Sequence, residues 1–127
     1  MKSNFSITWQ KSTQPRKQRK FRMNAPLHIK GKFLNSPLSK ELRTKYSKRT
    51  LRVRKGDKVK VARGQFKGLS GVVENVDTSR SKIFVAGVNI IKKDGAKIAY
   101  PVDPSKVMIT ELILDDKKRI NKLKKSD

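Results

Sequence analysis

Cysteine is absent from the 127-residue chain, and histidine occurs once, at His28. The lack of cysteine excludes disulfides, thiolate zinc sites and cysteine nucleophiles, and one histidine cannot make a histidine-rich metal site. Catalysis is not expected, because no carboxylate partner for His28 can be identified in the sequence. Asp57, Asp94 and Asp103 lie at predicted turns, where turn chemistry accounts for them without a metal. We therefore expect neither an enzyme nor a cofactor.

Long hydrophobic runs are also missing. The longest apolar stretch, Ile83 to Val88, has six residues, whereas a membrane-spanning helix needs about 20. The first ten residues contain no continuous apolar segment of the signal-peptide type. We expect a soluble, intracellular protein that neither inserts into a membrane nor acts on a small-molecule substrate.

Acidic residues are scarce: 10 Asp and Glu stand against 33 Lys and Arg, which gives a net charge of +23. Such a charge opposes compaction unless a polyanion neutralises it. Residues 1–55 contain 17 cations and one acid, residues 56–114 contain ten cations and six acids, and residues 115–127 contain six cations and three acids. The chain therefore divides into a cationic arm, an ordinary globular segment and a basic tail.

The arm, residues 1–36, has too few apolar residues to form its own core. Its segment 14–22 carries five cations in nine residues, and a block of like charge should be extended and disordered in isolation. One interpretation is a solubilising tail, but the excess charge exceeds what solubility requires. The other is an extension that becomes ordered against phosphates. Near the start, we expect disorder; the alternative is a short strand with Phe5, Ile7 and Trp9 on one face, which would bind a neighbouring protein or RNA.

One short helix is predicted after the arm. Ser36 is a suitable N-cap, and Pro37 suits the first helical position, where its missing N–H costs nothing. Leu38, Leu42 and Tyr46 recur at helical spacing and form one apolar stripe. This pattern predicts a helix over 37–46, within a helix-and-connector segment of residues 37–50, whose stripe packs on the globular core.

From residue 51 to residue 114 the hydrophobic pattern changes to period two, which is typical of half-buried strands. Asp94-Gly95 favours a tight hairpin turn. Short strands with turns between them predict a small closed or partly closed β-barrel. We expect the strands at Lys58–Val61, Gly71–Val76, Lys82–Val85, Val88–Ile91, Ala96–Val102 and Val107–Leu114. In the tail, residues 115–127, Asp115 or Asp116 could cap a short helix with Ile120 and Leu123 on one side.

A glycine-rich loop between the first two barrel strands contains candidate nucleic-acid-binding residues. It includes Arg63, Phe66 and Lys67, and its structural glycines are Gly56, Gly64, Gly68 and Gly71. Cations that meet phosphates, beside a ring that stacks on a base, are typical of nucleic-acid contacts. Alternatively, Phe66 folds back onto the barrel. A nucleotide-hydrolase phosphate loop fits poorly, because Lys67 precedes Gly68 and no helix pattern follows.

Residues 53–73 resemble a KOW motif, with glycine, valine, Asp57 and Lys67 at the spacing of that motif. Segments 14–20, 25–28 and 37–46 resemble the N-terminal half of the archaeal large-subunit ribosomal protein family 24, whose eukaryotic counterpart is numbered 26. Segment 103–107 is similar to a later part of the same family. The resemblance covers residues 11–114 and leaves out residues 1–10.

The resemblance implies a mainly β fold: a small SH3-like (KOW) barrel with an extended basic N-terminal arm, one short helix and a short basic C-terminal tail. It also implies a structural protein of the cytoplasmic large ribosomal subunit that binds large-subunit rRNA, mainly its 5′ domain, and helps assembly. Family members lie near the rim of the polypeptide exit tunnel. This location adds neighbouring ribosomal proteins, and targeting or translocation factors at the tunnel exit, to the candidate partners.

The expected RNA-binding residues share a position in the arm, in the connector or in the glycine loop. They are Lys11, Arg16, Lys17, Arg19, Lys20, Arg22, His28, Lys30, Lys32, Arg43, Lys48, Arg49, Arg52, Arg54, Arg63, Phe66 and Lys67. Two alternative functions are consistent with the KOW-like stretch and the basic charge. A transcription factor of KOW type would need a polymerase-binding domain, for which 127 residues leave no room. A DNA-compaction protein would bind duplex DNA and rRNA equally.

Overall fold

The computed structural model describes residues 5–9 and 12–124. Within these ranges the chain forms seven β-strands and four α-helices. The strands are β1 Asn35–Pro37, β2 Thr50–Arg52, β3 Lys58–Val61, β4 Ser70–Asp77, β5 Lys82–Ile91, β6 Lys97–Val102 and β7 Val107–Glu111. The helices are α1 Pro15–Asn24, α2 Leu27–Lys30, α3 Lys40–Tyr46 and α4 Lys117–Lys124. Two 3₁₀ turns, Gly31–Leu34 and Pro104–Lys106, complete the structure of these ranges.

The mainly β fold is confirmed. β3 to β7 make one antiparallel sheet in the order β6-β5-β4-β3-β7, and β1 pairs with β2 in a separate two-stranded sheet. The larger sheet bends where its register shifts, between Val73 and Asn75 and between Phe84 and Asn89. β6 and β7 are not paired with each other within the part of the chain that is described. Of the two architectures predicted, a closed and a partly closed barrel, the structure fits the partly closed one.

The core forms on the inner face of this bent sheet. Alternate residues of the strands, among them Val59, Val73, Ile83 and Ile109, have at most 1% of their surface exposed. This is the period-two pattern expected of strands with one buried face. Ten-residue β5 joins the two strands that were predicted at 82–85 and 88–91. The hairpin turn predicted at Asp94-Gly95 is present between β5 and β6.

The arm is helical rather than extended, which corrects the sequence prediction. Pro15 occupies the first turn of α1, where its fixed φ suits a helix, and Lys, Arg, Gln and Met favour helix formation. Pro26 ends the helix, because the residue before a proline avoids the α region and Ala25 is extended. Phe21 of α1 then packs edge-on against Phe33, with ring centroids 6.4 Å apart. Helix propensity and this aromatic contact account for a helix where charge repulsion predicted an extended segment.

The last residues of the arm belong to the core. Leu34 is fully buried, and Ser36 is buried with its hydroxyl donating to the carbonyl of Pro104 at 2.5 Å. Ser36 is therefore not the N-cap of the next helix, as the sequence predicted. Leu38 also stays extended, because its N–H donates to the carbonyl of Arg49 and it bridges to Ile109.

The helix α3 therefore begins three residues later than predicted, at Lys40, with Ser39 as its N-cap. It ends at Tyr46, as predicted, and Ser47 follows in the left-handed region with a φ of +52°. Leu42 and Tyr46 pack against the core from α3, as predicted, whereas Leu38, the third residue of the predicted stripe, is buried outside the helix. The short helix considered for the tail is present as α4, and Asp116 accepts the N–H of Lys118 at its start, at 3.0 Å. The two helices that were not predicted, α1 and α2, lie in the arm.

Candidate nucleic-acid interface

A large cleft on the described surface has a volume of about 730 Å³ and is lined mainly by three segments, with Asn35 of β1 beside them. One wall is β2 with the turn that follows it, another is the end of β4, and the third is α4. Its cationic lining residues are Lys48, Arg52, Arg54, Lys55, Lys118, Arg119 and Lys122. Asp116 is the one acid among the lining residues, and Arg54 already pairs with it at 2.8 Å. The cleft therefore presents a concentrated positive charge.

A buried ion pair fixes α4 as a wall of this cleft. Asp57 has none of its surface exposed and Arg119 only 5%. Both terminal guanidinium nitrogens of Arg119 donate to the Asp57 carboxylate, at 2.7 and 2.5 Å. The same guanidinium donates to the carbonyls of Ile113 and Arg52, at 3.0 and 3.2 Å. Arg119 therefore joins α4 to the turn after β2, and Leu123, also buried, adds an apolar contact.

Asp57 also organises the turn that carries two of the cleft's cations. Its carboxylate accepts the backbone N–H of Arg54 at 2.9 Å and that of Ile113 at 3.2 Å. This is the turn chemistry that the sequence predicted for Asp57, with an ion pair added. The fixed turn places Arg54 and Lys55 at the rim of the cleft.

Lys118 and Lys122 were missed by sequence reasoning, as was Lys55. The two α4 lysines are one helical turn apart, so they project from the same side of the helix. That spacing was visible in the sequence. The face on which they lie depends on the docking of α4 through Arg119, which no local pattern reveals.

The predicted arm cations are placed on α1. Arg16, Lys17, Arg19, Lys20 and Arg22 are all exposed, and α1 buries none of its residues. The Arg22 guanidinium lies over the Phe33 ring at 5.1 Å from its centroid, a cation–π arrangement. Lys17 and Lys20 line a smaller cleft beside α1. The helix therefore carries its charge on the surface and is attached to the body by aromatic rings.

The remaining predicted cations are dispersed. His28 and Lys32 are exposed and Lys30 is half-buried, all near the end of the arm. Arg43 donates through Nε to the carbonyl of Leu38 at 2.9 Å, so part of its guanidinium is already used. Arg49 is exposed, while Lys48 joins Arg52 and Arg54 in the large cleft. The prediction for Lys11 lies outside the described residues.

The glycine loop lies between β3 and β4. Arg63 and Lys67 are exposed there, and Phe66 is half-buried with its ring centroid 5.1 Å from that of Tyr100. Of the two placements considered, an exposed ring and a ring folded back onto the barrel, the structure has the second, because Phe66 packs against the core. Gly68 has a φ of +93°, while Gly71 has ordinary backbone but lies so close to the Ala86 carbonyl oxygen that a Cβ would overlap it.

Acidic side chains elsewhere hold turns together. In Asp77, hydrogen bonds from the Ser79 hydroxyl and the Arg80 N–H lower the pKa of the carboxyl. In Asp103, burial alone would raise the pKa, but hydrogen bonds from Ser105 and the nearby Lys82 ammonium leave it lowered. Both carboxylates therefore stabilise the turns in which they lie.

Neither a metal site nor a membrane span is found in the described ranges. In residues 5–9 and 12–124, no three His, Asp or Glu side chains are grouped as metal ligands would be. No helix in those ranges has the length and apolarity of a membrane span.

Comparison with known proteins identifies the family. A family model for ribosomal proteins, covering eukaryotic L26 and its archaeal counterpart numbered 24, matches residues 12–126. The "Large ribosomal subunit protein uL24" of Methanocorpusculum labreanum and that of Methanoregula boonei are each 55% identical over 112 residues, which is 88% of this chain and 93% of theirs. That of Methanocella arvoryzae is 50% identical over 114 residues, 90% of this chain and 92% of its own.

Proteins of this family are structural and non-enzymatic, and they are constituents of the cytoplasmic large ribosomal subunit. The family match begins at residue 12, so it includes the cationic helix α1, the glycine loop and α4. These results confirm the resemblance found in the sequence. The chain belongs to the uL24 family of large-subunit ribosomal proteins, in its archaeal and eukaryotic form.

Proposed function

We propose that the protein is a structural component of the large ribosomal subunit that binds large-subunit rRNA, including its 5′ domain, and supports assembly. The observation that carries this proposal is the large cleft, where six cations besides the buried Arg119 face one acid that is already paired. Phosphate groups are the anions that such a charge distribution attracts, and RNA supplies them at close, regular spacing.

The cleft suits an RNA backbone better than a single anion. Its cations come from β2, the following turn and α4, so they are spread along the walls instead of converging on one point. Arg52 and Arg54 have planar guanidinium groups that bind phosphate oxygens in pairs, whereas Lys118 and Lys122 act as point charges. The arrangement therefore favours a segment of backbone passing between β2 and α4.

α1 and the glycine loop carry further exposed cations. In this proposal the cations of α1 bind phosphates, and Arg63 with Lys67 binds another backbone segment. Specific recognition of the RNA comes from its shape and its unpaired bases, because the deep major groove of an A-form helix excludes side chains. The family relationship supports a position near the exit tunnel, next to other ribosomal proteins, where targeting or translocation factors remain candidate partners.

Salt dependence tests the proposal. If about ten cations each meet a phosphate, log K for a 5′-domain transcript falls with log[salt] at a slope of roughly −7 to −9. A slope near −2 would contradict an extended phosphate surface. Affinity is measured by filter binding with the full chain at several salt concentrations.

A matched pair of variants locates the site. Lys118→Gln with Lys122→Gln removes two cations that line the cleft, whereas Lys117→Gln with Lys124→Gln removes two exposed cations of α4 that do not. Net charge falls equally in both. We expect the first pair to reduce the slope by about 1 to 2 and the second to change it less. Equal effects would show that the cleft is not the binding surface.

A further inference from the structure

A second, smaller cleft lies beside α1, formed in part by residues that precede the family match. It has a volume of about 270 Å³, and its walls include the rings of Phe5, Trp9 and Phe21 together with Lys17 and Lys20. Because the family model begins at residue 12, Phe5 and Trp9 are contributed by a segment outside the matched region. The cleft is therefore a feature of this chain that the family relationship does not describe.

The segment 5–9 is a turn rather than the strand considered from the sequence. The N–H of Trp9 donates to the carbonyl of Ser6 at 3.4 Å, and the hydroxyls of Ser6 and Thr8 are 2.9 Å apart. This turn places two rings against Phe21. Trp9 stacks on Phe21 with centroids 5.2 Å apart and an interplanar angle of 26°, and Phe5 lies 4.9 Å from Phe21.

α1 supplies the polar groups on the same side. Lys17, Lys20 and Asn24 follow one another at spacings of three and four residues, and Phe21 lies between them, so all four share one face of the helix. Lys17, Lys20 and Asn24 line the cleft with the hydroxyl-bearing Ser6, and no acid lines it among the described residues. The cleft thus combines stacked aromatic rings, two ammonium groups and an amide.

This combination matches the chemistry of a nucleotide. A base stacks on an aromatic ring, its phosphate attracts ammonium groups, and an amide can donate to and accept from the base edge. A cleft of about 270 Å³ is smaller than the pockets that take drug-sized ligands, so it suits one base with its phosphate. A base inside an A-form duplex is stacked on its neighbours and is not offered to such a cleft. An apolar peptide would leave both ammonium groups without counter-charge.

We propose that this cleft binds one unpaired nucleotide of RNA, with the base against Trp9 and the phosphate between Lys17 and Lys20. The inference rests on the proposed function in rRNA binding and adds a base-stacking subsite to it. The subsite distinguishes single-stranded RNA from duplex RNA, which a surface of phosphate-binding cations alone does not do.

Trp9 is the only tryptophan in the chain, so its fluorescence reports on this cleft alone. We expect single-stranded oligoadenylate to quench the fluorescence of the full chain, and an A-form RNA duplex of the same length to quench it much less. Trp9→Ala should weaken oligoadenylate binding by about 5- to 150-fold, the range for loss of one base–aromatic stack. Trp9→Phe keeps an aromatic ring and should retain most of the affinity, which separates stacking from any loss of structure.

Two charge-matched variants test the phosphate contact. Lys17→Gln with Lys20→Gln should reduce both quenching and oligoadenylate affinity, whereas Arg16→Gln with Arg19→Gln, on the same helix but away from the cleft, should reduce them less. Equal losses in the two variants, equal quenching by duplex, or tighter binding of an uncharged apolar peptide would overturn the subsite. If Trp9 fails to respond while the 5′-domain transcript binds with a steep salt slope, the subsite fails and the rRNA-binding function stands. If the transcript does not bind, the rRNA-binding function fails.

Discussion

Arg119, in the C-terminal helix α4, forms a two-pronged ion pair with Asp57, 62 residues earlier in the chain. Both side chains are buried, so each has lost its hydration and depends on the other. Asp57 is part of the KOW-like stretch, whereas Arg119 is part of the tail, for which no function was predicted. The pair therefore links the tail to the β-domain and positions one wall of the large cleft.

Removing Arg119 should destabilise the fold strongly. In Arg119→Met the Asp57 carboxylate stays buried without its cation, and removing one partner of a buried pair typically costs about 3–5 kcal/mol. We expect a marked fall in the urea midpoint. The double variant Asp57→Asn with Arg119→Met should lose less than the sum of its single variants, because no unpaired charge remains.

The control for this prediction is the exposed pair Arg54–Asp116, whose side chains are 52% and 39% exposed. Arg54→Gln should change the free energy of unfolding by about 0–1 kcal/mol, as is usual for surface ion pairs. A similar small change in Arg119→Met would show that the buried pair does not hold α4 in place.

Local patterns in the sequence predicted those parts of the fold that depend on local forces. Period-two alternation located the β-domain, and Asp94-Gly95 located its hairpin, because side-chain direction and turn geometry are set within a few residues. Ser36-Pro37 has the local features of a helix start, yet the hydrogen bond from the Ser36 hydroxyl to the Pro104 carbonyl keeps this segment in β1. Tertiary pairing overrode a valid local signal there.

The candidate site was predicted in part for the same reason. Charge density identified the cations of the arm but wrongly predicted an extended chain, because the aromatic contacts of Phe21 could not be foreseen. The cleft between β2 and α4 was not predicted, since it requires knowing that Arg119 pairs with Asp57. Long-range ion pairs leave no periodic signal in a sequence.

Two glycines of the KOW-like stretch should respond differently to substitution. Gly68 has a φ of +93°, and a Cβ there would meet no atom within 4 Å, so Gly68→Val costs only backbone strain, about 1–2 kcal/mol. Gly71 has ordinary φ, but a Cβ would overlap the backbone oxygen of Ala86, so Gly71→Ala must displace β5 and should cost more.

Substitution by asparagine, followed by urea unfolding, distinguishes backbone strain at Gly68 from steric overlap at Gly71. Asn adopts positive φ more readily than Val, so Gly68→Asn should recover part of the stability lost in Gly68→Val. At Gly71 the obstacle is steric, and Gly71→Asn should be no better than Gly71→Ala. Recovery at both positions, or at neither, would contradict the assignment of strain to Gly68 and overlap to Gly71.

Asp103 should contribute stability that depends on pH. Burial raises the pKa of the Asp103 carboxyl, but hydrogen bonds from Ser105 and the charge of Lys82 outweigh burial. The pKa therefore lies below its ordinary value of 3.8. A carboxyl whose pKa is lower in the folded state stabilises the fold fully above its unfolded value and loses that contribution as pH falls through the folded value. Asp103→Asn should therefore lower the Tm at pH 6, and the difference from the parent should shrink below about pH 4. A difference that stays constant down to about pH 2 would contradict this linkage.

The arm should separate into a removable part and an essential part. α1 buries none of its residues, so deletion of residues 1–24 should leave the β-domain folded while weakening rRNA binding through the loss of the exposed α1 cations. Deletion of residues 1–36 also removes Leu34, which is fully buried in the core, and the hydrogen bond of Ser36. We expect that deletion to unfold at a much lower temperature, and Leu34→Ala in the full chain to cost about 2–5 kcal/mol. Circular dichroism melts of the three variants test this, and equal stability of the two deletions would show that Leu34 does not support the core.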